Sequence, residues 1–196
     1  MFDGQLGAWT MEPIKLRLKP DARPYHARAY TIPKIYEETV RNEIQQLEQR
    51  GVLRRVNRSE WAAPSFIVPK KLNPGQTIPT ARVVSDFRKL NEVLIRHPYP
   101  VPKIQHLLMT LESFRYSTSL DLVQGYYQMP LDDESRKLAT IVLPFGKYEY
   151  TVLPMGIKVA GDIFQQRMND LLGHLPYVRC YLDDVLIVTK GTWDEH

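Results

Sequence analysis

Proline constrains this chain more than any other residue type does. Fifteen prolines fall within 196 residues, most of them in three groups: Pro13, Pro20, Pro24 and Pro33, then Pro64, Pro69, Pro74 and Pro79, then Pro98, Pro100 and Pro102. Each fixes its own φ and removes a backbone donor, so long helices and central strands cannot run through these groups. The pattern predicts short elements joined by rigid turns, behind an extended lead-in arm over residues 1–33. Within the arm Ile14, Leu16 and Leu18 alternate with Lys15, Arg17 and Lys19, which predicts one edge strand.

Between the proline groups the apolar spacing assigns the elements. Val40, Ile44 and Leu47 predict a helix over 35–50, stopped by Gly51. Ser65–Lys70 and Ile78–Val84 predict a hairpin about the Asn73-Pro74-Gly75 turn. Ile104, Leu107, Leu108 and Leu111 mark a short amphipathic helix, and Tyr116–Leu122 alternates as a strand. Leu138–Leu143 and Lys147–Leu153 predict a strand pair, and the Phe164, Met168, Leu171, Leu172 stripe a helix over 162–172. Val178–Leu182 and Val185–Thr189 predict two strands about a two-Asp turn. Irregular alternation with antiparallel hairpins makes the class α+β.

Composition removes several alternatives. A 43% hydrophobic content provides for a core, in one domain or two small ones. Cys180 is the single cysteine, so no intrachain disulfide forms, and five scattered His offer no zinc spacing. Met1-Phe2-Asp3-Gly4 does not open a signal peptide, and no apolar run approaches the roughly 18 residues of a membrane span. Charge is split: residues 1–110 hold 18 Lys/Arg against 10 Asp/Glu, and residues 111–196 hold 8 against 12. A basic half suits a polyanion and an acidic half a bound cation, although split charge also serves solubility.

The acidic half contains the strongest local signal. Two apolar runs flank Asp183-Asp184 where the chain reverses. Alone this reads as a solvated hairpin tip, because Asp tolerates tight-turn angles. Asp121 ends a second strand, Ser119-Leu120-Asp121-Leu122. Two such strands side by side would converge three carboxylates, an unfavourable cluster unless hard cations occupy it. Two Mg²⁺ ions about 4 Å apart clamp the attacking and leaving oxygens of a phosphoryl transfer.

Six motifs then occur in order: Trp61-Ala62-Ala63-Pro64; Arg82-Val83-Val84-Ser85-Asp86-Phe87-Arg88-Lys89-Leu90-Asn91; Tyr99-Pro100-Val101-Pro102; Leu120-Asp121-Leu122 with Gly125-Tyr126; Leu153-Pro154-Met155-Gly156; and Tyr181-Leu182-Asp183-Asp184. From about residue 12 onward the chain resembles the reverse transcriptase of gypsy-type long-terminal-repeat retrotransposons. The resemblance implies a right-hand polymerase, with a small antiparallel palm sheet backed by helices. Asp121, Asp183 and Asp184 would be catalytic and hold two Mg²⁺ ions, or Mn²⁺ in their place, with the Leu122 carbonyl as a further ligand. Arg82 would lie against the incoming triphosphate, and Lys70 or Lys71 would reach its terminal phosphate. The backbone N–H groups of Gln124 and Gly125 would face the phosphates, Tyr126 would exclude a 2′-hydroxyl, and Met155 would floor the nucleotide pocket. Gly161 stands where the family usually has Pro.

The same resemblance divides the chain into fingers at 1–95 and 129–159 and palm at 96–128 and 160–196. The expected reaction adds deoxynucleotides to a primer 3′-hydroxyl on an RNA or DNA template. No membrane is expected as a partner, and the setting is intracellular, in a cytoplasmic retroelement particle or in the nucleus. Only seven residues follow Thr189, so the primer grip and thumb, the RNase H and the integrase segments are expected to be absent. That leaves an alternative, a non-catalytic nucleic-acid-binding remnant of a retroelement polyprotein.

Overall fold

A computed structural model describes residues 6–70, 80–111 and 113–196. In chain order the elements are α1 (Lys34–Gln49), β1 (Leu53–Val56), β2 (Ala63–Pro69), β3 (Ala81–Ser85), α2 (Arg88–Val93), α3 (Ile104–Met109) and β4 (Tyr116–Asp121). A 3₁₀ turn (Gly125–Gln128) follows, then α4 (Asp133–Leu138), β5 (Thr140–Leu143), β6 (Gly146–Tyr150), α5 (Ala160–Leu172), β7 (Val178–Tyr181) and β8 (Asp184–Thr189). They form two compact units, Met1–Ile95 with Tyr126–Lys158, and Arg96–Gly125 with Val159–His196. The sequence-based division placed the second and third crossings at 128/129 and 159/160, where the units change at 125/126 and 158/159.

The first unit is built on a five-stranded sheet in the order β1-β6-β5-β2-β3. Only the β2–β5 pairing, Ala63 with Ile141 and Pro64 with Val142, is parallel. β5 lies centrally, and its four residues Thr140, Ile141, Val142 and Leu143 are all buried, as a strand covered on both faces requires. α1 buries Val40, Ile44 and Leu47 and exposes its other side. It ends where Gly51 takes φ +71°, with Gly51 N–H donating to Glu48 O and Val52 N–H to Leu47 O. This closure satisfies the last carbonyls and fixes where β1 begins.

Two expectations for this unit are corrected. The arm forms no edge strand among the described residues; it touches the unit by isolated bridges, Ile14 with Leu131, Leu18 with Leu94 and His26 with Ala62. Pro13, Pro20 and Pro24 withhold the donors a continuous ladder needs. Residue 138 closes α4 and does not begin a strand, because Asp132 caps that helix by accepting from Ser135 N–H at 2.9 Å. The Asn73-Pro74-Gly75 turn lies outside the described residues, although its two strands pair antiparallel from Ser65↔Ser85 to Pro69↔Ala81.

The second unit is smaller: a three-stranded antiparallel sheet, β4-β8-β7, with α3 and α5. α5 buries Ala160, Phe164, Gln165 and Met168, an i, i+4, i+8 stripe facing one side. Its first turn is anchored by Asp162, whose carboxylate accepts from Arg96 Nε at 2.6 Å, Arg96 Nη2 at 3.0 Å and Tyr99 N–H at 3.2 Å. The proline-rich connector Pro98–Pro102 is thus tied to α5 at its start.

Candidate active site

The site is built on the β4–β8–β7 sheet. β4 and β8 run in register from Tyr116↔Thr189 to Asp121↔Asp184, and β7 closes on β8 at Tyr181↔Asp184. The reversal is therefore the two-residue loop Leu182-Asp183, one position earlier than the expected two-Asp turn, and Asp184 is already a ladder residue. Leu182 takes φ +51°, a left-handed conformation that costs a branched L-residue about 1–2 kcal/mol. Asn-Gly would reverse the chain without that cost.

Surrounding groups hold the loop. Leu182 N–H donates to Gln165 Oε1 at 2.8 Å, Cys180 Sγ donates to Leu182 O at 3.4 Å, and Leu122 N–H donates to Asp183 O at 3.0 Å. The last of these bonds ties the end of β4 to the loop, so Asp121, Asp183 and Asp184 come from one connected backbone corner. Directly opposed residues of an antiparallel pair share a face, with Cβ atoms about 4.5–5.5 Å apart. Asp121 and Asp184 stand in that relation, and like charges so placed repel. Burial, together with the Asp183 and Asp184 charges, pushes the Cys180 thiol up to about 11, which keeps it an S–H donor.

Among the described residues no three His, Cys, Asp or Glu side chains are assembled as a metal-holding group. The carboxylates form an opposed pair, with Asp183 one residue along the loop. That donor set fits Mg²⁺, which takes one or two carboxylates and completes its octahedron with water and substrate phosphate oxygens, not with a full protein cage.

Beyond Asp121 the chain makes a second left-handed residue, Gln124 at φ +53°. At Gly125 a Cβ would meet Phe164 Cζ at 2.8 Å and Cε2 at 2.9 Å, so no side chain fits between the turn and α5. Asp121, Leu122, Gln124, Gly125, Asp183 and Asp184 all belong to the second unit.

The remaining candidates, Lys70, Arg82, Tyr126 and Met155, belong to the first unit, and Lys71 lies outside the described residues. Arg82 is exposed on β3 opposite Val68. Lys70 is also exposed, and its N–H donates to Thr80 O at 2.9 Å. Tyr126 is half-buried, and its carbonyl accepts from Met129 N–H at 3.2 Å. Met155 is exposed beside Gly156, which takes φ +92°.

Four further residues were given no role from the sequence, although Asn91 closes the Arg82–Asn91 motif. Asn91 donates from Nδ2 to Gly156 O and accepts at Oδ1 from Lys158 N–H, both at 2.8 Å, clamping the turn that carries Met155. Glu43 of α1 lies near Lys70 and Arg82; burial raises its carboxyl, while the Val83 backbone and those two cations lower it. Gln165 is fully buried on α5, and Asp162 is the buried anchor of that helix. The available signal was a polar residue inside an apolar stripe, Gln165 between Phe164 and Met168.

Opposed carboxylates on a small antiparallel sheet at a helix-backed reversal, in a chain whose other unit is a larger mixed sheet, have the α+β architecture of a polymerase. The family model "Reverse transcriptase (RNA-dependent DNA polymerase)" matches residues 68–196, and the chain belongs to that family. It is 37% identical over 178 residues to the retrovirus-related Pol polyprotein from transposon gypsy of Drosophila melanogaster, covering 89% of this chain and 17% of that protein. The crystal structure of prototype foamy virus protease-reverse transcriptase (CSH mutant) superposes with a TM-score of 0.83 at 26% identity, over 96% of this chain and 24% of that one. A foamy viral protease-reverse transcriptase in complex with RNA/DNA hybrid gives 0.86 at 24% identity, over 99% of this chain and 25% of that one. The chain thus spans about a quarter or less of each of these three proteins. Reverse transcriptases use divalent metal ions, the chemistry the Asp121 and Asp184 pair suits. Among the described residues no helix is long and apolar enough to cross a membrane.

Proposed function

We propose that this chain carries the fingers and palm of an RNA-directed DNA polymerase, the five-stranded unit being fingers and the three-stranded unit palm. The observation behind the proposal is the β4–β8 register, which sets Asp121 directly across from Asp184 with Asp183 in the adjoining loop. Bound Mg²⁺ would lower the barrier by neutralising charge on the transferring phosphoryl group. Asp121, Asp183 and Asp184 would hold two such ions, with Leu122 O as a further ligand and Mn²⁺ as a substitute.

The other residues position the nucleotide. Arg82 and a lysine at 70 or 71 neutralise the triphosphate, which phosphoryl transfer needs more than covalent help. The N–H groups of Gln124 and Gly125 face its phosphates, Tyr126 stands beneath the sugar, and Met155 floors the base pocket. Template and primer are RNA or DNA, in line with the nucleic-acid hybrid held by the foamy viral relative. The setting is a retroelement particle in the cytoplasm, or the nucleus.

Primer extension on an RNA template with Mg²⁺ tests the proposal, comparing wild type with Asp183→Asn. The expected result is incorporation by the wild type and a loss of at least about a hundredfold in the variant. Equal incorporation by both removes the catalytic role of Asp183. RNA–DNA binding without incorporation by either identifies a binding remnant.

A further inference from the structure

Gln165 is the residue to which the carboxylate loop is fastened. Its side chain is 0% exposed, and each of its polar atoms has a partner. Oε1 accepts from Leu182 N–H at 2.8 Å. Nε2 donates to Cys180 O at 3.2 Å and to Asn169 Oδ1 at 3.0 Å. Asn169 Nδ2 in turn donates to Tyr99 Oη at 3.0 Å. The donors and acceptors set both amide orientations: a reversed Gln165 would face the Leu182 N–H with its own NH₂ and lose the bond.

The two loop bonds fall on either side of Tyr181. One takes the carbonyl of the residue before it, and the other takes the N–H of the residue after it, which is the left-handed Leu182. A buried, fully bonded amide holds backbone against relaxation more firmly than an exposed contact, because no water can replace it at that depth. Met could fill the space without bonding, and Glu could accept from Leu182 but could not donate to Cys180 or Asn169.

We infer that Gln165 is the positioning residue of the Asp183-Asp184 loop, oriented by Asn169, and that it sets the affinity of the carboxylates for a divalent cation without touching it. The inference rests on the polymerase reading of the same loop. Supporting groups of this kind typically alter metal affinity by 10- to 100-fold when removed.

Two measurements on the full chain test it: hydrogen exchange of the Leu182 amide without metal, and Mn²⁺ titration followed by its paramagnetic signal. In Gln165→Met the Leu182 amide is expected to exchange about tenfold faster and Mn²⁺ to bind about tenfold more weakly, while the Val185 and Leu186 amides of β8 hold their protection. Wild-type values for both readouts overturn the inference. So does equal acceleration across the whole sheet, which marks Gln165 as packing alone.

If Gln165→Met does not fold, Asn169→Leu decides. Loss of the orienter should weaken Mn²⁺ binding by about two- to threefold, and no change overturns the inference. Failure of the polymerase reading looks different. A wild type that extends no primer, yet whose Leu182 amide responds selectively to Gln165→Met, removes the catalytic reading and supports the positioning role.

Discussion

Gly125 shows how one missing atom sets the depth of the site. It lies between Asp121 and Tyr126, two of the residues on which the proposed chemistry depends, and it presses its bare Cα against the Phe164 ring. Phe164 is fully buried, and close-packed interiors leave a ring little room to retreat. Gly125→Ala is therefore expected to destabilise the fold by about 1–3 kcal/mol, read as a lower denaturant midpoint at unchanged slope. An unchanged midpoint would mean that Phe164 moves freely. The glycine was visible in the sequence as part of a motif, and so were Asp121, Asp183 and Asp184. Asn91 was visible only as the end of a motif, and Gln165 not at all, because each acts on backbone atoms remote in sequence, and spacing along a chain does not reveal which carbonyl a side chain will meet.

At the level of elements, α5 carries the second unit. It is anchored at its first turn by Asp162, contacts Gly125 through Phe164, and fastens the loop through Gln165. The Arg96 guanidinium beside Asp162 holds its carboxyl below the ordinary carboxylate value, with the Tyr99 N–H adding to the effect against the opposing influence of burial. A lowered folded value gives stability that is present above the ordinary value near 3.8 and is lost as pH falls through the lower one. Asp162→Asn should thus lower the melting temperature by several degrees at pH 7, and the gap from wild type should close below about pH 4. A gap that persists at lower pH would show that the charge is not its source. Long periodic elements were legible: α1 and α5 differ from their sequence limits by a residue or two. The short ones, β1, α2 and α4, were missed, since four to six residues hold too few turns or alternations to display a period. α4 did leave a trace in Asp132, Asp133 and Glu134 ahead of Arg136 and Lys137, a charge order suited to a helix dipole. The reversal was misplaced by one residue because its left-handed position is paid to Leu182, a residue that sequence rules do not associate with turns.

For the whole molecule, charge separates by unit. The first holds 20 Lys/Arg against 14 Asp/Glu, and the second 6 against 8. If the first unit tracks a nucleic-acid backbone, affinity for an RNA–DNA duplex should fall by at least about tenfold between about 50 and 200 mM salt. Affinity indifferent to salt would place the contact elsewhere. The order of strands also has a consequence in time. Asp121 meets Asp184 only after the 62 intervening residues, α5 among them, have been made. At roughly 5–20 residues per second that interval lasts roughly 3–13 s, during which β4, with Leu120 exposed even in the finished fold, is without β8, the strand it pairs with. A nascent chain of this kind presents an open strand edge at the ribosome, and slowed translation within residues 122–184 would lengthen the exposure and favour aggregation over assembly of the sheet.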